Sequence, residues 1–173
     1  SDQRYRETDL AIDYCEDVIF DLRLRSRFGM HTFAPEAVVH FRPRCDLRAY
    51  WRQYYQYARG DGKAGLWPRQ HLARYAAYLG GLALIIGGLL ARWWPLPLSG
   101  LLVLAVIVMG RSRTPYRRLT RVWRDLAFAQ KLRAALWVPV IRVVGDLAKM
   151  VAYPVGVWWR WLHWTQVPNW RKL

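Results

Sequence analysis

Two apolar stretches without a single charged residue constrain this chain more than any other feature. They cover residues 75–91 and 96–110, and an arginine bounds each of them. Each stretch is slightly shorter than the ~20 residues that cross the hydrocarbon core of a bilayer. The pair Trp93 and Trp94 between them suits a membrane interface and extends both spans. Because lipid offers no hydrogen-bond partner to an open backbone, we predict a transmembrane hairpin of two helices.

Basic residues flank the hairpin at its outer ends, and only Arg92 lies between its helices. Cytoplasmic segments carry such an excess of arginine and lysine, so we expect the parts of the chain on both sides of the hairpin to be cytoplasmic. The net charge of +15 also favours anionic partners: nucleic acid, anionic lipid head groups or phosphorylated substrates. The flanking residues are Arg59, Lys63, Arg69 and Arg74 before the hairpin, and Arg111, Arg113, Arg117, Arg118, Arg121 and Arg124 after it.

The stretch 136–161 is long and apolar, but it contains Arg142, Asp146, Lys149 and two prolines. Charges at the centre of a spanning helix are costly. We therefore favour an amphipathic or re-entrant segment on the cytoplasmic surface. The alternative is a third spanning helix whose charges face protein.

The first 45 residues have the pattern of soluble α/β material. The pattern predicts a helix over 16–28 that ends at Gly29, followed by short strands over 31–33 and 37–41. Two cysteines, Cys15 and Cys45, are too few for a disulfide framework and lack metal-ligand spacing, so we interpret them as reduced cytoplasmic thiols.

Asp46 is a good N-cap for a further helix that reaches Gly60. Tyrosine, tryptophan and leucine share one broad face of this helix, and arginines flank that face. Such a helix either lies in the membrane interface or packs its aromatic stripe on a protein core, and one helix can do both. The segment 59–63 that follows is either a gating loop or a flexible linker.

Several motifs occur in a fixed order over residues 12–65. An acidic pair is followed by Phe-Asp-Leu-Arg-Leu and a glycine, then by a proline-containing segment that ends near His40, then by an aromatic helix. In the sequence these motifs are Glu16-Asp17-Val-Ile-Phe-Asp21-Leu-Arg-Leu, Phe33-Ala-Pro35-Glu-Ala37-Val-Val-His40-Phe-Arg-Pro-Arg, and Tyr50-Trp-Arg52-Gln53-Tyr-Tyr-Gln-Tyr57-Ala-Arg59-Gly60-Asp61-Gly62-Lys63-Ala64. This order resembles the C-terminal part of bacterial membrane-bound family 2 glycosyltransferases, which invert the configuration at the anomeric carbon of the transferred sugar. Later segments around 145–149 and 153–156 resemble the tail of the same proteins.

The resemblance implies a fold and a division of the chain. The fold would be an α+β remnant of a GT-A glycosyltransferase domain followed by membrane helices, mostly α, with a two-helix transmembrane hairpin. Residues 1–45 would end the catalytic domain, and 46–74 would form an amphipathic interface helix and basic linker. Residues 75–110 would form the hairpin, and 111–173 a cytoplasmic basic tail with a possible third membrane segment. The location would be the bacterial inner membrane, crossed more than once.

The resemblance also implies roles for individual residues. Asp17 would be the catalytic base, and Glu16 would support it or orient the acceptor. Gln53, Arg52 and Tyr57 would bind the acceptor. The stretch from Gln53 departs from the Gln-x-x-Arg-Trp motif of processive relatives, because Gln56 and Tyr57 replace its Arg and Trp, so processivity stays open. His40 would lie near a metal, and a partly buried strand histidine is the competing interpretation.

The donor site is expected elsewhere. The family binds its nucleotide sugar in an N-terminal Rossmann-like half with an Asp-x-Asp metal site, and no such element precedes residue 16 in this sequence. We expect a longer natural enzyme, with Mg²⁺ or Mn²⁺ as its divalent metal, a nucleotide-sugar donor and a lipid-linked or polysaccharide acceptor. This chain would be inactive alone. The alternative is a non-catalytic membrane-anchored module that binds anionic lipid or nucleic acid, although no recognised nucleic-acid fold is present.

Overall fold

The structure is a computed structural model that describes residues 14–30, 32, 34–40 and 44–163. Helices account for 83% of these residues, and none of them forms a strand. The prediction of a mostly α chain is therefore confirmed, whereas the sheet of a GT-A remnant is not observed. The helices are α1 (Glu16–Phe28), α2 (Leu47–Ala64), α3 (Pro68–Leu90), α4 (Pro95–Val122), a 3-10 turn (Trp123–Asp125) and α5 (Phe128–Leu162).

Helix α1 has the bounds that the sequence predicts. Glu16 and Asp17 occupy its first turn, where carboxylates are stabilised by the positive end of the helix dipole. Arg25 and Arg27 occupy its last turn, where a cation is favoured. Gly29 ends the helix with φ 86, a value that glycine adopts without steric cost, and its N–H donates to the Arg25 carbonyl.

The predicted strand over 37–41 is wrong in the part that the structure describes. Residues 37–40 are irregular and exposed, and Val38 and Val39 present their side chains to the surroundings. A β-branched pair favours a strand only where a neighbouring strand can pair with it. His31, Phe33 and Phe41 lie outside the described residues, and so does most of the first predicted strand.

Helix α2 begins where predicted but continues four residues further. The Asp46 side chain accepts a hydrogen bond of 2.7 Å from the Ala49 N–H, which caps the helix. The helix runs through Gly60 to Ala64 and ends at Gly65, which has φ 69. The prediction of a gating loop or flexible linker over 59–63 is therefore wrong, since these residues are helical.

Close helix packing explains the glycines of that segment. A Cβ atom on Gly62 would strike the Tyr153 carbonyl and would lie 2.8 Å from the Val157 nitrogen. A Cβ atom on Gly156 would strike the Arg59 carbonyl. The backbones of α2 and the C-terminal half of α5 therefore approach so closely that only glycine fits at the crossing. These glycines allow the two helix backbones to approach closely, and they do not form a flexible linker.

Helices α3 and α4 form a hairpin held by small residues. Gly81 packs against Leu104, and Gly88 packs against Pro97, so the two helices run antiparallel. Both helices are long and apolar enough to cross a membrane. Only 17% of the most apolar 18-residue stretch of each helix is buried inside the protein. Trp93 in the connection is exposed. The two apolar helices are therefore confirmed, and their lengths exceed the uncharged runs from which they were predicted.

Helix α5 is continuous over 35 residues. It continues through Pro139, which lacks the N–H that would bond to the Ala135 carbonyl four residues earlier. The Tyr116 hydroxyl donates to this carbonyl at 3.0 Å and replaces the missing bond. The described part of the chain shows no re-entrant turn between 136 and 161, and α5 is not one of the two helices that meet the criteria for a membrane span.

The chain divides into two compact units. One comprises Arg69–Leu147, and the other comprises Ser1–Pro68 with Ala148–Leu173. Helix α5 contributes residues to both. In the second unit Ile19, Ala64 and Leu66 form a small core, with Val18, Leu22 and Trp159 packed around it.

Candidate acceptor site around the start of helix α1

The acidic pair lies at the start of α1, as the sequence predicts. Both Glu16 and Asp17 are exposed, so a ligand in solution can reach their carboxylates. The Asp17 side chain accepts a hydrogen bond of 2.8 Å from the Val18 N–H. This bond uses one oxygen and leaves the other open to solvent, which a general base requires.

Cys15, directly before the pair, attaches the start of α1 to α2. Its sulfur lies 3.5 Å from the Tyr57 carbonyl oxygen and 3.6 Å from the Asp61 carboxylate, so the single S–H is shared between these two acceptors. Gly60 makes this contact possible, because a Cβ atom there would lie 2.5 Å from the Tyr14 carbonyl oxygen and 2.8 Å from the Cys15 sulfur. The acidic pair is thereby fixed beside the residue 57–61 turn of α2.

Burial and the charge of Asp61 raise the pKa of the Cys15 thiol above its ordinary range. Its neutral form therefore predominates, and it acts as a hydrogen-bond donor. Cys45 is exposed, and both cysteines are free. The prediction of free thiols is confirmed.

Two of the three residues predicted to bind an acceptor, Gln53 and Tyr57, meet on one side of α2. The Gln53 amide donates to the Tyr57 hydroxyl at 2.8 Å across one helical turn. Tyr54 lies between them in sequence and packs against Tyr50, with ring centroids 4.4 Å apart and the rings tilted by 39°. The Lys149 ammonium lies 4.7 Å from the Tyr54 ring centroid. Aromatic rings and amides in this arrangement can contact the faces and hydroxyls of a sugar.

The structure joins some of the predicted site residues and not others. The Cys15 contacts connect the turn of Glu16 and Asp17 to the backbone of Tyr57, which in turn bonds to Gln53. Arg52 is exposed on the same helix. His40 is exposed in the irregular 37–40 segment, so a partly buried strand histidine is wrong. Within the described residues no hydrogen bond or ion pair joins His40 to the acidic pair.

No cluster of three or more metal-ligating side chains exists among the residues that the structure describes. His40 therefore belongs to no group of three such side chains in this part of the chain, and the described residues do not fit a metal centre of three or more protein ligands. We derive no chemical step through a metal at this position.

Sequence reasoning missed Asp61 and Cys15 as parts of this site. It also missed the surroundings of Lys63, whose ammonium lies 4.5 Å from the Trp159 ring centroid while the Arg160 guanidinium donates to the Lys63 carbonyl at 3.0 Å. The spacing of Gly60 and Gly62 was the available signal. Glycines in a polar sequence indicate a loop as readily as a close helix crossing, so the pattern alone does not separate the two.

The sequence left two interpretations of the aromatic face of α2, a membrane interface or packing on a protein core. The buried residues of α2, including Ala58 and Ala64, lie in its C-terminal half, whereas its aromatic N-terminal half is half-buried. Protein packing therefore accounts for the C-terminal half, while the Tyr57 side chain is 43% exposed.

The chain matches no known protein family, no curated protein and no solved structure.

Proposed function

We propose that this chain is the C-terminal portion of an inverting membrane glycosyltransferase that transfers a sugar from a nucleotide-sugar donor to a lipid-linked or polysaccharide acceptor. One observation carries the proposal. The Glu16-Asp17 pair, which the motif order marks as catalytic, is attached through Cys15 to the helix that bears Gln53 and Tyr57.

The arrangement suits the chemistry of transfer. Asp17 accepts the proton of an acceptor hydroxyl as that oxygen attacks the anomeric carbon, and the nucleoside diphosphate leaves from the opposite face, which inverts the configuration. Glu16, its neighbour in the first turn of α1, orients the acceptor. Gln53 and Tyr57 supply an amide and a phenol that hydrogen-bond sugar hydroxyls.

The elements after α2 support the membrane attachment in this proposal. Helices α3 and α4 are long and apolar enough to cross a bilayer, and α3 starts four residues after α2 ends. A site on α1 and α2 is therefore tied by a short connection to apolar helices. An acceptor that is lipid-linked, or that grows at the membrane, suits this attachment. We assign the hairpin to the bacterial inner membrane with its outer ends in the cytoplasm.

The proposal requires a nucleotide-sugar site and a divalent cation, Mg²⁺ or Mn²⁺, that are not assigned to any described residue. The residues assigned to acceptor chemistry are Asp17, Glu16, Gln53, Arg52 and Tyr57.

Sugar transfer by membranes that contain the natural gene product tests the assignment. Membranes carrying the wild-type sequence, Asp17→Asn or Glu16→Gln are incubated with radiolabelled nucleotide sugars, and label in lipid and polymer fractions is counted. We expect Asp17→Asn to lower the rate by about 10²–10⁴-fold, the usual contribution of a general base. Glu16→Gln should lower it less.

Asp125→Asn is the matched control, since Asp125 is an exposed carboxylate outside the motifs. It should leave both transfer and membrane content unchanged. Equal transfer by wild-type and Asp17→Asn membranes, at equal protein content, would remove Asp17 as the base and favour the non-catalytic membrane module.

A further inference from the structure

A buried carboxylate in the unit Arg69–Leu147 contacts the side chains of three arginines. Asp146 is 1% exposed and accepts from the Arg74 Nε at 2.9 Å. Arg142 donates to it twice, from Nε at 3.1 Å and from Nη2 at 3.2 Å. The Arg111 Nε lies 3.5 Å from the same carboxylate, and the Tyr78 hydroxyl donates to it at 3.1 Å.

The charges of this cluster do not balance. One carboxylate neutralises one of three guanidiniums, so two positive charges remain. The whole unit contains twelve lysine and arginine residues and only one other carboxylate, Asp125, which is exposed. A positive charge removed from water without a partner is costly.

The uncompensated charge lies where a ligand can reach it. Arg74 is 5% exposed, and it also bonds to His71 at 3.1 Å, so its guanidinium is enclosed. Arg142 and Arg111 are 25% and 39% exposed. Asp146 holds an edge of each of these two guanidiniums, and their remaining N–H groups can bind an anion. Paired guanidiniums match the oxygens of a phosphate.

The register of the hairpin sets the level of the cluster. Gly81 packs on Leu104 and Gly88 on Pro97, so residues whose numbers add to about 185 face each other. The numbers of Arg74 and Arg111 also add to 185, so these two residues belong to the same register. Arg74 directly precedes the uncharged run of α3, and Arg111 directly follows that of α4. In a membrane both would lie where the apolar spans meet the polar head groups.

We propose that Arg111 and Arg142 bind the phosphate of an anionic membrane phospholipid, while Asp146, which accepts from the Tyr78 hydroxyl, holds the two guanidiniums in position. The lipid chains would lie along the exposed apolar surface of α3 and α4. This site rests on the membrane placement in the proposed function, but it does not require sugar transfer, and the assay above does not report on it.

Thermal unfolding in lipid nanodiscs tests the site. The purified chain is placed in phosphatidylcholine, with and without phosphatidic acid, and the midpoint of unfolding is measured. A ligand that binds the folded state raises the midpoint, so we expect a rise with phosphatidic acid. Arg111→Gln should bind phosphatidic acid about tenfold more weakly, the usual loss for a hydrogen bond to a charged group. Arg111→Lys should give an intermediate result, because a lysine offers a point charge without the fork.

Arg113→Gln is the matched control, since it removes the same charge two residues further along α4 at an exposed position. It should keep the wild-type rise. Equal losses in Arg111→Gln and Arg113→Gln would mean diffuse attraction to a charged surface and would overturn the proposal, as would the absence of any rise in the wild type. If Arg111→Gln fails to fold, Arg142→Gln and Arg111→Lys give the same comparison.

Inorganic phosphate distinguishes the source of the anion. It is added to the protein in phosphatidylcholine nanodiscs without phosphatidic acid. No rise is expected, because the free ion gains nothing from the apolar surface beside the site. A rise of the same size that depends on Arg111 would assign the site to soluble phosphate and would overturn the lipid assignment.

Discussion

At the residue scale, the thiol of Cys15 shows how one buried side chain fixes the start of a helix. Burial raises its pKa, and the nearby Asp61 raises it further. The thiolate is the form that alkylating reagents attack. We therefore expect iodoacetamide at neutral pH to modify Cys45 and to leave Cys15 unmodified, as measured by mass spectrometry of the folded protein. In the unfolded protein both cysteines should react.

The pH dependence of the same reaction has a definite sign. Because the pKa of Cys15 in the folded state is raised, its labelling should stay slow as pH passes through the ordinary range of a cysteine thiol. Above that range the unfolded chain ionises Cys15 and the folded chain does not, so this residue's contribution to stability is lost as pH rises. Equal labelling rates for Cys15 and Cys45 in folded Cys45→Ser and Cys15→Ser variants would contradict the docked position of Cys15.

Asp146 gives a second prediction at this scale. Asp146→Asn removes the only carboxylate that contacts Arg74, Arg111 and Arg142 in the described part of the chain. A buried charge left without its partner costs ~3–5 kcal/mol of unfolding free energy. The unfolding midpoint in detergent should fall accordingly. Asp125→Asn, at an exposed carboxylate, should stay within about 0.5 kcal/mol of the wild type. A neutral result for Asp146→Asn would mean that the arginines do not depend on this carboxylate.

The sequence predicted the exposed members of the candidate site better than the buried ones. Glu16 and Asp17 belong to a recognisable pair in the first turn of a helix, so their place follows from local rules. Cys15 and Asp61 are 46 positions apart. Their contact depends on how α1 packs on α2, which is tertiary information that neither residue's neighbours contain.

At the element scale, α5 contains Pro139 within a continuous helix, and a side chain of α4 replaces the hydrogen bond that this proline cannot make. Tyr116→Phe would leave the Ala135 carbonyl without the hydroxyl that replaces the bond lost at Pro139. We expect this change to cost ~1–3 kcal/mol of unfolding free energy, because it leaves a half-buried acceptor without a partner. Pro139→Ala restores an N–H, so Tyr116→Phe should cost clearly less in that background. Equal costs in a double-mutant cycle would show that the hydroxyl does not compensate for the proline.

The hairpin of α3 and α4 offers a matched pair of adjacent glycines. A Cβ atom on Gly88 would strike Pro97 and would lie 2.6 Å from the Leu96 Cβ, whereas a Cβ atom on Gly87 meets no atom within 4 Å. Gly88→Ala should therefore destabilise the hairpin by ~1–3 kcal/mol through overpacking. Gly87→Ala should be neutral or stabilising by up to ~1 kcal/mol, because alanine favours a helix. Similar unfolding midpoints for the two variants would contradict the close packing of the hairpin.

Element boundaries were predictable where one residue type determines them. Asp46 and Gly29 cap their helices as expected, because a carboxylate at an N-cap and a glycine with positive φ are local requirements. The predicted strand over 37–41, in its described part 37–40, and the predicted loop over 59–63 were wrong for a shared reason. A strand exists only with a neighbour, and glycine serves both loops and close crossings, so each depends on partners that lie far away in sequence.

At the scale of the whole molecule, the distribution of charge makes a prediction about topology. Arg92 is the only basic residue in the connection of the hairpin, whereas arginines are dense on both outer ends. If charge sets orientation, the connection faces away from the cytoplasm. Ala91→Cys in a Cys15→Ser and Cys45→Ser background should then react with a membrane-impermeant maleimide in right-side-out vesicles. Arg118→Cys in the same background should react only after permeabilisation.

The two exposed positions serve as controls for each other. Ala91 lies in the connection after Leu90, Arg118 lies beyond the uncharged run of α4, and neither is buried. Labelling of Arg118→Cys before permeabilisation and of Ala91→Cys only afterwards would invert the proposed topology. It would place the acidic pair and the Gln53–Tyr57 face away from cytoplasmic nucleotide sugars, which removes the donor that the proposed reaction needs. Labelling of both positions in intact vesicles would mean that the apolar helices do not span the bilayer. The proposed phosphate site at Arg111 would then not lie among the lipid head groups, which the proposal requires. The assignment of Asp17 as the base would still be decided by the transfer assay.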